Sequence, residues 1–376
     1  MERFEIIVTT LFGIEALCAS EIRKLGYETT EVADGRVTFL GDYEAVCRAN
    51  LNIRTGERVL IKIGSFDVHS FDELFDKTKE LDWKRWLPRN ASFPVKGFTF
   101  KSQVYSVSDC QSIIKKSIAT ALSECYGLEW LPEDGPVYGI EFSIIRDRAT
   151  IMLDTSGDGL HKRGYRKNAN AAPLKETIAA AIIMLSRFSY RGVIADPFSG
   201  SGTFSVEAGL IAKNIAPGIN RHFAFESFSQ LPQNELKYAI EEARDNERPD
   251  TKLRILASDI DEKCVRLTKE NCKKAGVFDI VEAKRMPVAE FKSSEIGGTM
   301  ICNPPYGERM LTEKESEEIL KQTAEGYKSL NNWALMLITP DESFEKIMGR
   351  KADKRRKLYN GMIRCNLYQY HIKKGN

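Results

Sequence analysis

Residues 191–212 restrict this chain more than any other stretch. Arg191-Gly192-Val193-Ile194-Ala195-Asp196 is short, mostly apolar at its centre, and reads as a strand. Pro197-Phe198-Ser199-Gly200-Ser201-Gly202-Thr203 follows, and then an apolar, helix-like segment from Phe204 to Ala212. Strand, Gly-rich turn and helix in that order belong to an α/β fold, in which ligands bind beyond the carboxyl ends of the strands. Glycines at 200 and 202 let the backbone approach a ligand that a Cβ would hold off. The free N–H groups at the start of the helix favour a carboxylate or phosphate. The pattern is not G-x-G-x-x-G, and it lacks the Lys-Ser/Thr pair of a P-loop. An acid ending the strand, followed by Gly-Ser-Gly-Thr, fits a nucleoside that carries an amino acid.

Two later segments extend the sheet. Leu253 to Ser258 reads as a strand ending at Asp259, with a helix starting near Asp261, which is placed to cap it. An acid at the end of a second strand can accept hydrogen bonds from ribose hydroxyls. Thr299-Met300-Ile301-Cys302 reads as a buried strand that runs into Asn303-Pro304-Pro305-Tyr306. Two prolines cannot continue a ladder, so the backbone leaves the sheet there in an extended turn. This turn suits a planar group with an exocyclic amine. The Asn303 side-chain oxygen and the Pro304 carbonyl can accept both amine hydrogens, and Tyr306 can stack on the ring. Accepting those hydrogens stabilises the positive charge that grows as the amine attacks an electrophile. Cys302 reads as packing inside the strand.

In chain order the half reads as a ligand turn after strand one, an acid after strand two and Asn-Pro-Pro-Tyr after strand four. A helix over Glu313–Leu330 and a strand over Trp333–Thr339 follow. Lys357 to Ile372, interrupted by Asn360-Gly361, predicts a hairpin with those two residues as its loop. On these residues the chain resembles class I S-adenosylmethionine-dependent methyltransferases of the amino-methylating kind. The resemblance implies a Rossmann-like α/β domain whose seven-stranded mixed sheet closes with an antiparallel hairpin.

Residues 1–155 mix helices and strands without a Gly-rich cofactor turn, which predicts small α+β modules. Strands are expected at Phe4–Thr10, Arg58–Phe66, Phe93–Phe100, Tyr138–Ile145 and Ala149–Thr155. Helices are expected at Gly13–Leu25, Asp42–Ala49, Ser70–Glu80 and Asp109–Tyr126, the last capped by Ser108 or Asp109. The segment from Lys101 and Ser102 through Lys115 and Lys116 resembles the THUMP domain, an RNA-binding module. Three further runs extend the resemblance over nearly the whole chain: Leu153 to Arg166, Ala172-Pro173-Leu174-Lys175-Glu176, and Asn303 to Arg309. The chain is similar to bacterial THUMP-domain 23S rRNA guanine-N2 methyltransferases in their short form, without a fused second methyltransferase.

That resemblance implies three modules: a ferredoxin-like one over 1–52, a THUMP domain over 53–156 and the methyltransferase domain over 157–376. It implies that Asp196, Phe198, Ser199, Gly200, Gly202 and Thr203 line the methionine part of S-adenosylmethionine, with Asn303 beside them. Ser199 stands where a Cys is common in the family. Asp259 would bind the ribose, and Asn303, Pro304 and Tyr306 would hold the target guanine. Glu282, Glu290 and the backbone near Arg285 and Met286 are all open as readers of the adenine. Lys101, Ser102, Lys115 and Lys116, with Lys162, Arg163 and Arg166 of the basic stretch before the methyltransferase half, would contact RNA. The implied partner is 23S rRNA or a large-subunit precursor.

Composition agrees with such an enzyme. Hydrophobic content of 42% and charged content of 29% are ordinary for a globular chain. No apolar run approaches the roughly 18 residues that span a membrane. The eight cysteines form no CxxC pair and the four histidines are scattered, so neither a metal site nor a disulfide framework is expected. A reduced, cytoplasmic protein is the natural expectation. Net charge is only +2, but residues 346–376 hold ten Lys and Arg against the single acid Asp353, which predicts a solvated helix face or an RNA-facing edge.

Overall fold

The computed structural model describes residues 3–166, 174–229, 231, 233–306 and 312–372. The chain divides into two compact units. One comprises Met1–Thr10, Cys18–Leu160 and His222–Glu241, and the other Leu11–Leu17, His161–Arg221 and Glu242–Asn376.

The first unit is built on strands β1 (Phe4–Thr10), β2 (Thr29–Ala33), β3 (Arg36–Gly41), β4 (Gly56–Asp67), β5 (Val95–Phe100), β6 (Ile140–Ile145) and β7 (Arg148–Asp154). They form one sheet in the order β2-β3-β1-β4-β7-β6-β5. The sheet is continuous across residues 52 and 53, because β4 pairs with β1 on one side and β7 on the other. Only the edge pair β5–β6 is parallel among the pairings. Alternation decides the faces. Ile140, Phe142 and Ile144 of β6 are buried on one face, while Glu141 and Ile145 on the other are partly exposed. On the second face Ile7, Leu60 and Met152 make a small separate cluster. The turn at Arg146-Asp147 takes φ of +52° and +62°, as a two-residue hairpin with the sheet's twist requires. The long helix of this unit runs Val107–Tyr126, and its N-cap is Ser106 rather than Ser108 or Asp109. Val107 opens the helix two residues earlier than the polar residues suggest.

The second unit holds β8 (Val193–Asp196), β9 (Arg254–Asp259), β10 (Val281–Arg285), β11 (Gly298–Cys302), β12 (Trp333–Thr339), β13 (Lys354–Asn360) and β14 (Ile363–Tyr370). Their order is β10-β9-β8-β11-β12-β14-β13. Five strands are parallel, and β14 and β13 close the sheet antiparallel. This is the expected seven-stranded mixed sheet with its terminal hairpin. The central strands are apolar throughout: Ile194, Ala195, Met300, Ile301 and Leu335–Ile338 are fully buried. Two apolar clusters cover the two faces, one reaching the helices Glu176–Ser186 and Thr203–Ala212, the other the helix Glu313–Lys328.

Two expectations need correction here. Asn360 pairs with Ile363, so the hairpin loop is Gly361-Met362 and not Asn360-Gly361. Gly361, at φ +62°, supplies the left-handed residue at the first loop position. Of the two alternatives for the C-terminal basic residues, the helix face fails for residues 354–357, which lie on the edge strand β13. Charged residues there keep an unpaired edge from recruiting another strand. Arg355 donates to Asn366 Oδ1 at 3.0 Å and stacks over Tyr368, and Arg356 donates to the Gly13 carbonyl.

Candidate active site

The parallel strands carry their functional residues to one edge of the sheet. After β8 the chain crosses to β9 on one side, and β11 lies on the other. The direction of winding thus reverses between β8 and β11, which opens a crevice beyond their carboxyl ends. Asp196 ends β8, Asp259 ends β9 and Asn303 follows β11, so all three stand at this edge.

Asp196 is fully buried. One carboxylate oxygen accepts from Ser205 Oγ at 2.8 Å, and the other, Oδ1, has no hydrogen-bond partner among the described residues. Burial pushes its pKa up to about 7; the Ser205 bond pulls it down, and the charge of Asp259 adds to the rise. Such an acceptor fits a cation with N–H donors, as an α-ammonium is.

The turn after β8 is held from beneath. Gly200 and Gly202 have φ of +53° and +81°. A Cβ on Gly202 would lie 3.0–3.2 Å from Thr268, so this glycine is needed for packing. A Cβ on Gly200 would meet nothing within 4 Å, which leaves that side of the turn open for a ligand. Thr268 Oγ1 donates within reach of both Ser199 Oγ (3.1 Å) and the Gly200 carbonyl (3.2 Å), and Asn271 Nδ2 donates to the Ser201 carbonyl at 2.8 Å. Both come from the helix Glu262–Lys274, which Asp261 caps by accepting from Lys263 N. Ser199 is therefore buried with its hydroxyl on Thr268, and Phe198 packs on the second apolar cluster. Ser205, Thr268 and Asn271 are missed by reasoning from sequence. Only the i, i+3 spacing of the last two on one helix face hints at them.

Asp259 faces the same turn. Its Oδ2 accepts from Gly200 N at 2.9 Å and its Oδ1 from Asp261 N at 3.0 Å. An ionised carboxylate has about four lone-pair sites, so these bonds orient it and leave capacity for hydroxyls. Of the residues considered for the adenine, Glu282 sits on the exposed middle of β10 and pairs with Arg254 at 3.1 Å, away from the carboxyl edge. Arg285 Nε donates to the Ile260 carbonyl, and Met286 N to the Asp259 carbonyl. Glu290 closes a short 3-10 turn over Val288–Glu290.

Asn303 Oδ1 is the second buried acceptor of the edge without a partner among the described residues. Cys302 beside it is fully buried, and burial with the nearby Asp196 charge pushes its thiol pKa well up, so it stays neutral packing. Tyr306 packs on the first apolar cluster, and its hydroxyl accepts from Asn360 Nδ2 at 3.0 Å. The hairpin thus fixes the ring. Gly307, Glu308 and Arg309 lie outside the described residues, as do Lys167, Ala172, Pro173, Lys373 and Lys374.

The basic residues expected to meet RNA divide. Lys101, Lys116 and Lys162 are exposed. Lys115 is exposed but pairs with Glu133 at 3.0 Å. Ser102 spends its hydroxyl inside its own unit, donating to the Phe100 or Ile144 carbonyl and accepting from Asp147 N. Arg163 is a correction: it is buried, 3% exposed, with Nε 3.4 Å from the fully buried Glu207. A buried cation needs a partner, and Glu207 supplies it. Arg166 is also largely covered, donating to Thr203 Oγ1 and lying 3.5 Å from Glu176. Both hold the fold around the ligand turn rather than a surface.

Comparison with known proteins assigns families to three stretches of the chain. The family described as "RMKL-like, methyltransferase domain" matches residues 163–369, "RlmL ferredoxin-like domain" matches 5–60, and "THUMP domain" matches 68–154. The chain belongs to the RMKL-like methyltransferase family. It is a methyltransferase with a THUMP module. A Bacillus subtilis (strain 168) protein named "Putative RNA methyltransferase YpsC" is 43% identical over 99% of this chain and 97% of its own length. The "Ribosomal RNA large subunit methyltransferase K/L" of Syntrophotalea carbinolica is 30% identical over 96% of this chain. The chain spans about half, 52%, of that longer relative. Among solved structures, a Listeria monocytogenes protein described as a "predicted N6-adenine-specific DNA methylase" is 42% identical with a TM-score of 0.93, covering 98% of this chain and 96% of its own. "SMU.472, a putative methyltransferase complexed with SAH" is 39% identical with a TM-score of 0.93, covering both chains fully. Among the described residues, no helix is long and apolar enough to cross a membrane.

Proposed function

We propose that the chain methylates the exocyclic N2 amine of a guanine in 23S rRNA or a large-subunit precursor, in the cytoplasm, with modules at 1–52, 53–156 and 157–376. One observation carries the reading: the Asn303 Oδ1 acceptor, buried and unpartnered among the described residues, beside the Pro304 carbonyl at the end of β11. A buried unsatisfied acceptor costs about 1–3 kcal/mol, a cost that a donor on the substrate removes. An amine conjugated to a nucleobase brings two such donors. Asn303 and Pro304 accept them, and this raises electron density on the nitrogen as its charge develops. Tyr306 stacks on the base.

The cofactor, when bound, supplies an electrophilic methyl group. Asp196 takes its ammonium through Oδ1, the Gly200–Thr203 turn lies along its amino-acid part, and Asp259 accepts from its ribose hydroxyls. A guanine within a helix must first be extruded, at a few kcal/mol, and stacking on Tyr306 offsets about 1–3 kcal/mol of this. Positioning both partners accounts for much of the rate. A second reading is adenine-N6 methylation, since the same turn serves either amine and the Listeria relative carries that description. The THUMP module favours RNA over DNA as the substrate in either case.

The test is the rRNA of cells that lack this protein. Nucleoside mapping of their 23S rRNA should show one N2-methylguanosine lost, restored by the wild-type chain and not by Asn303→Ala. An unchanged N2-methylguanosine content, or loss of an N6-methyladenosine instead, overturns the guanine reading.

A further inference from the structure

The second face of the first sheet displays two large aromatic rings to solvent. Phe98 and Phe100 of the edge strand β5 are 53% and 52% exposed. They alternate with Gly97, whose added Cβ would strike the buried Phe142, so Gly97 faces the core and both rings face away from it. The β5–β6 register sets Phe98 beside Ser143 and Phe100 beside Ile145. Those two neighbours line a hollow of about 340 Å³ on this face, floored largely by side chains such as Thr150 and Ser65. The rings therefore stand at the rim of a polar hollow.

Charge is arranged unevenly around it. Of the cations lining the hollow, Arg36, Lys62 and Arg148 are paired with Glu31, Glu5 and Asp67 at 3.7, 2.6 and 2.9 Å. At the aromatic end, Lys101 and Arg146 are exposed and make no ion pair among the described residues, while the exposed Lys96 stands beside Glu141 in the β5–β6 register. Lys101 Nζ lies 5.4 Å over the Phe100 ring. Surplus cation and exposed ring thus coincide. A protein interface is depleted of Lys at its core, whereas here Lys96 and Lys101 flank the rings. Hydroxyls and free cations beside aromatic rings on an open sheet fit single-stranded nucleic acid, whose bases stack and whose phosphates meet the cations.

We propose that this sheet face binds a single-stranded segment of the RNA substrate, with bases stacked on Phe98 and Phe100 and phosphates against Lys96, Lys101 and Arg146. The proposal rests on the reading that the chain acts on RNA and adds where an unpaired stretch is gripped. It shifts the RNA-contacting role from the helix lysines to the edge strand.

The test uses the full chain and a single-stranded oligoribonucleotide carrying 2-aminopurine, with a duplex of the same sequence beside it. Both rings are more than half exposed, so Phe98→Ala/Phe100→Ala should keep the wild-type circular dichroism and S-adenosylhomocysteine affinity. This variant should bind the single strand at least about tenfold more weakly and lose 2-aminopurine quenching, with the salt dependence unchanged. Lys96→Gln/Lys101→Gln/Arg146→Gln should instead lower the slope of log K against log salt by about 2. If the ring variant binds the single strand like wild type while wild type methylates rRNA, the stacking face is wrong and the RNA reading stands. If wild type binds neither oligonucleotide nor rRNA, both fall together. A ring variant that loses only self-association in sedimentation, with RNA binding intact, would make the patch a protein interface and overturn the proposal.

Discussion

Replacing Asp196 by Asn should make the ligand-free protein more stable at alkaline pH while removing its grip on the cofactor. Asp196 is fully buried with one oxygen unpartnered among the described residues, and burial raises its pKa from 3.8 to about 7. The folded value thus exceeds the unfolded value of about 3.9, so the folded chain holds this proton more tightly. The group's contribution to stability is best below about pH 4, declines as pH rises from 4 to 7, and stays at its lowest above. The rise from about 3.9 to about 7 corresponds to about 4 kcal/mol at its limit. At pH 5 only about 1.5 kcal/mol of that has been lost, which leaves about 2.5 kcal/mol to appear between pH 5 and pH 8. Asn carries no charge at either pH. The stability difference between Asp196→Asn and wild type, from urea unfolding, should therefore grow by about 2–3 kcal/mol from pH 5 to pH 8 in favour of the variant. Glu141 and Asp154, also raised by burial, titrate alike in both proteins and cancel. A difference that stays constant between the two pH values would refute the buried, charge-averse Asp196 described above.

Three other outcomes are expected. Asn303→Ala should lower turnover at least about tenfold while the dissociation constant for S-adenosylhomocysteine, by calorimetry, changes less than about threefold. Gly202→Ala should cost about 2–3 kcal/mol in unfolding free energy, from its φ of +81° and the contact with Thr268, whereas Gly200→Ala should cost about 1 kcal/mol and chiefly weaken cofactor binding. Tyr306→Phe should cost about 1 kcal/mol for the lost Asn360 bond and keep most activity, while Tyr306→Ala should raise KM for RNA about 5- to 100-fold.

Elements with strong apolar patterns were legible in the amino-acid order. Trp333–Thr339 and Phe4–Thr10 are strands with the expected ends, since each is a nearly unbroken apolar or β-branched run. The gathering of the candidate residues at one edge was also legible, because Asp196 and Asp259 end strands, the Gly turn and Asn303 follow strands, and parallel strands share one carboxyl edge. What stayed hidden depends on contacts between distant residues. Nothing local distinguishes Arg163, buried on Glu207 44 residues later, from the exposed Lys162. Thr268 and Asn271 meet the ligand turn 68 to 70 residues away. Asn360-Gly361 is the usual hairpin pair, yet cross-strand register shifts the loop by one, and residues 354–357 were open between a helix face and an edge because charge alone carries no period.

The identity of the methylated nucleoside decides between guanine and adenine as the target. Purified protein, labelled S-adenosylmethionine and unmodified 23S rRNA would be incubated, and the RNA digested to nucleosides. The label should appear in N2-methylguanosine and should vanish with Asn303→Ala. Label in N6-methyladenosine would contradict the guanine assignment, and label that persists in Asn303→Ala would contradict the site itself.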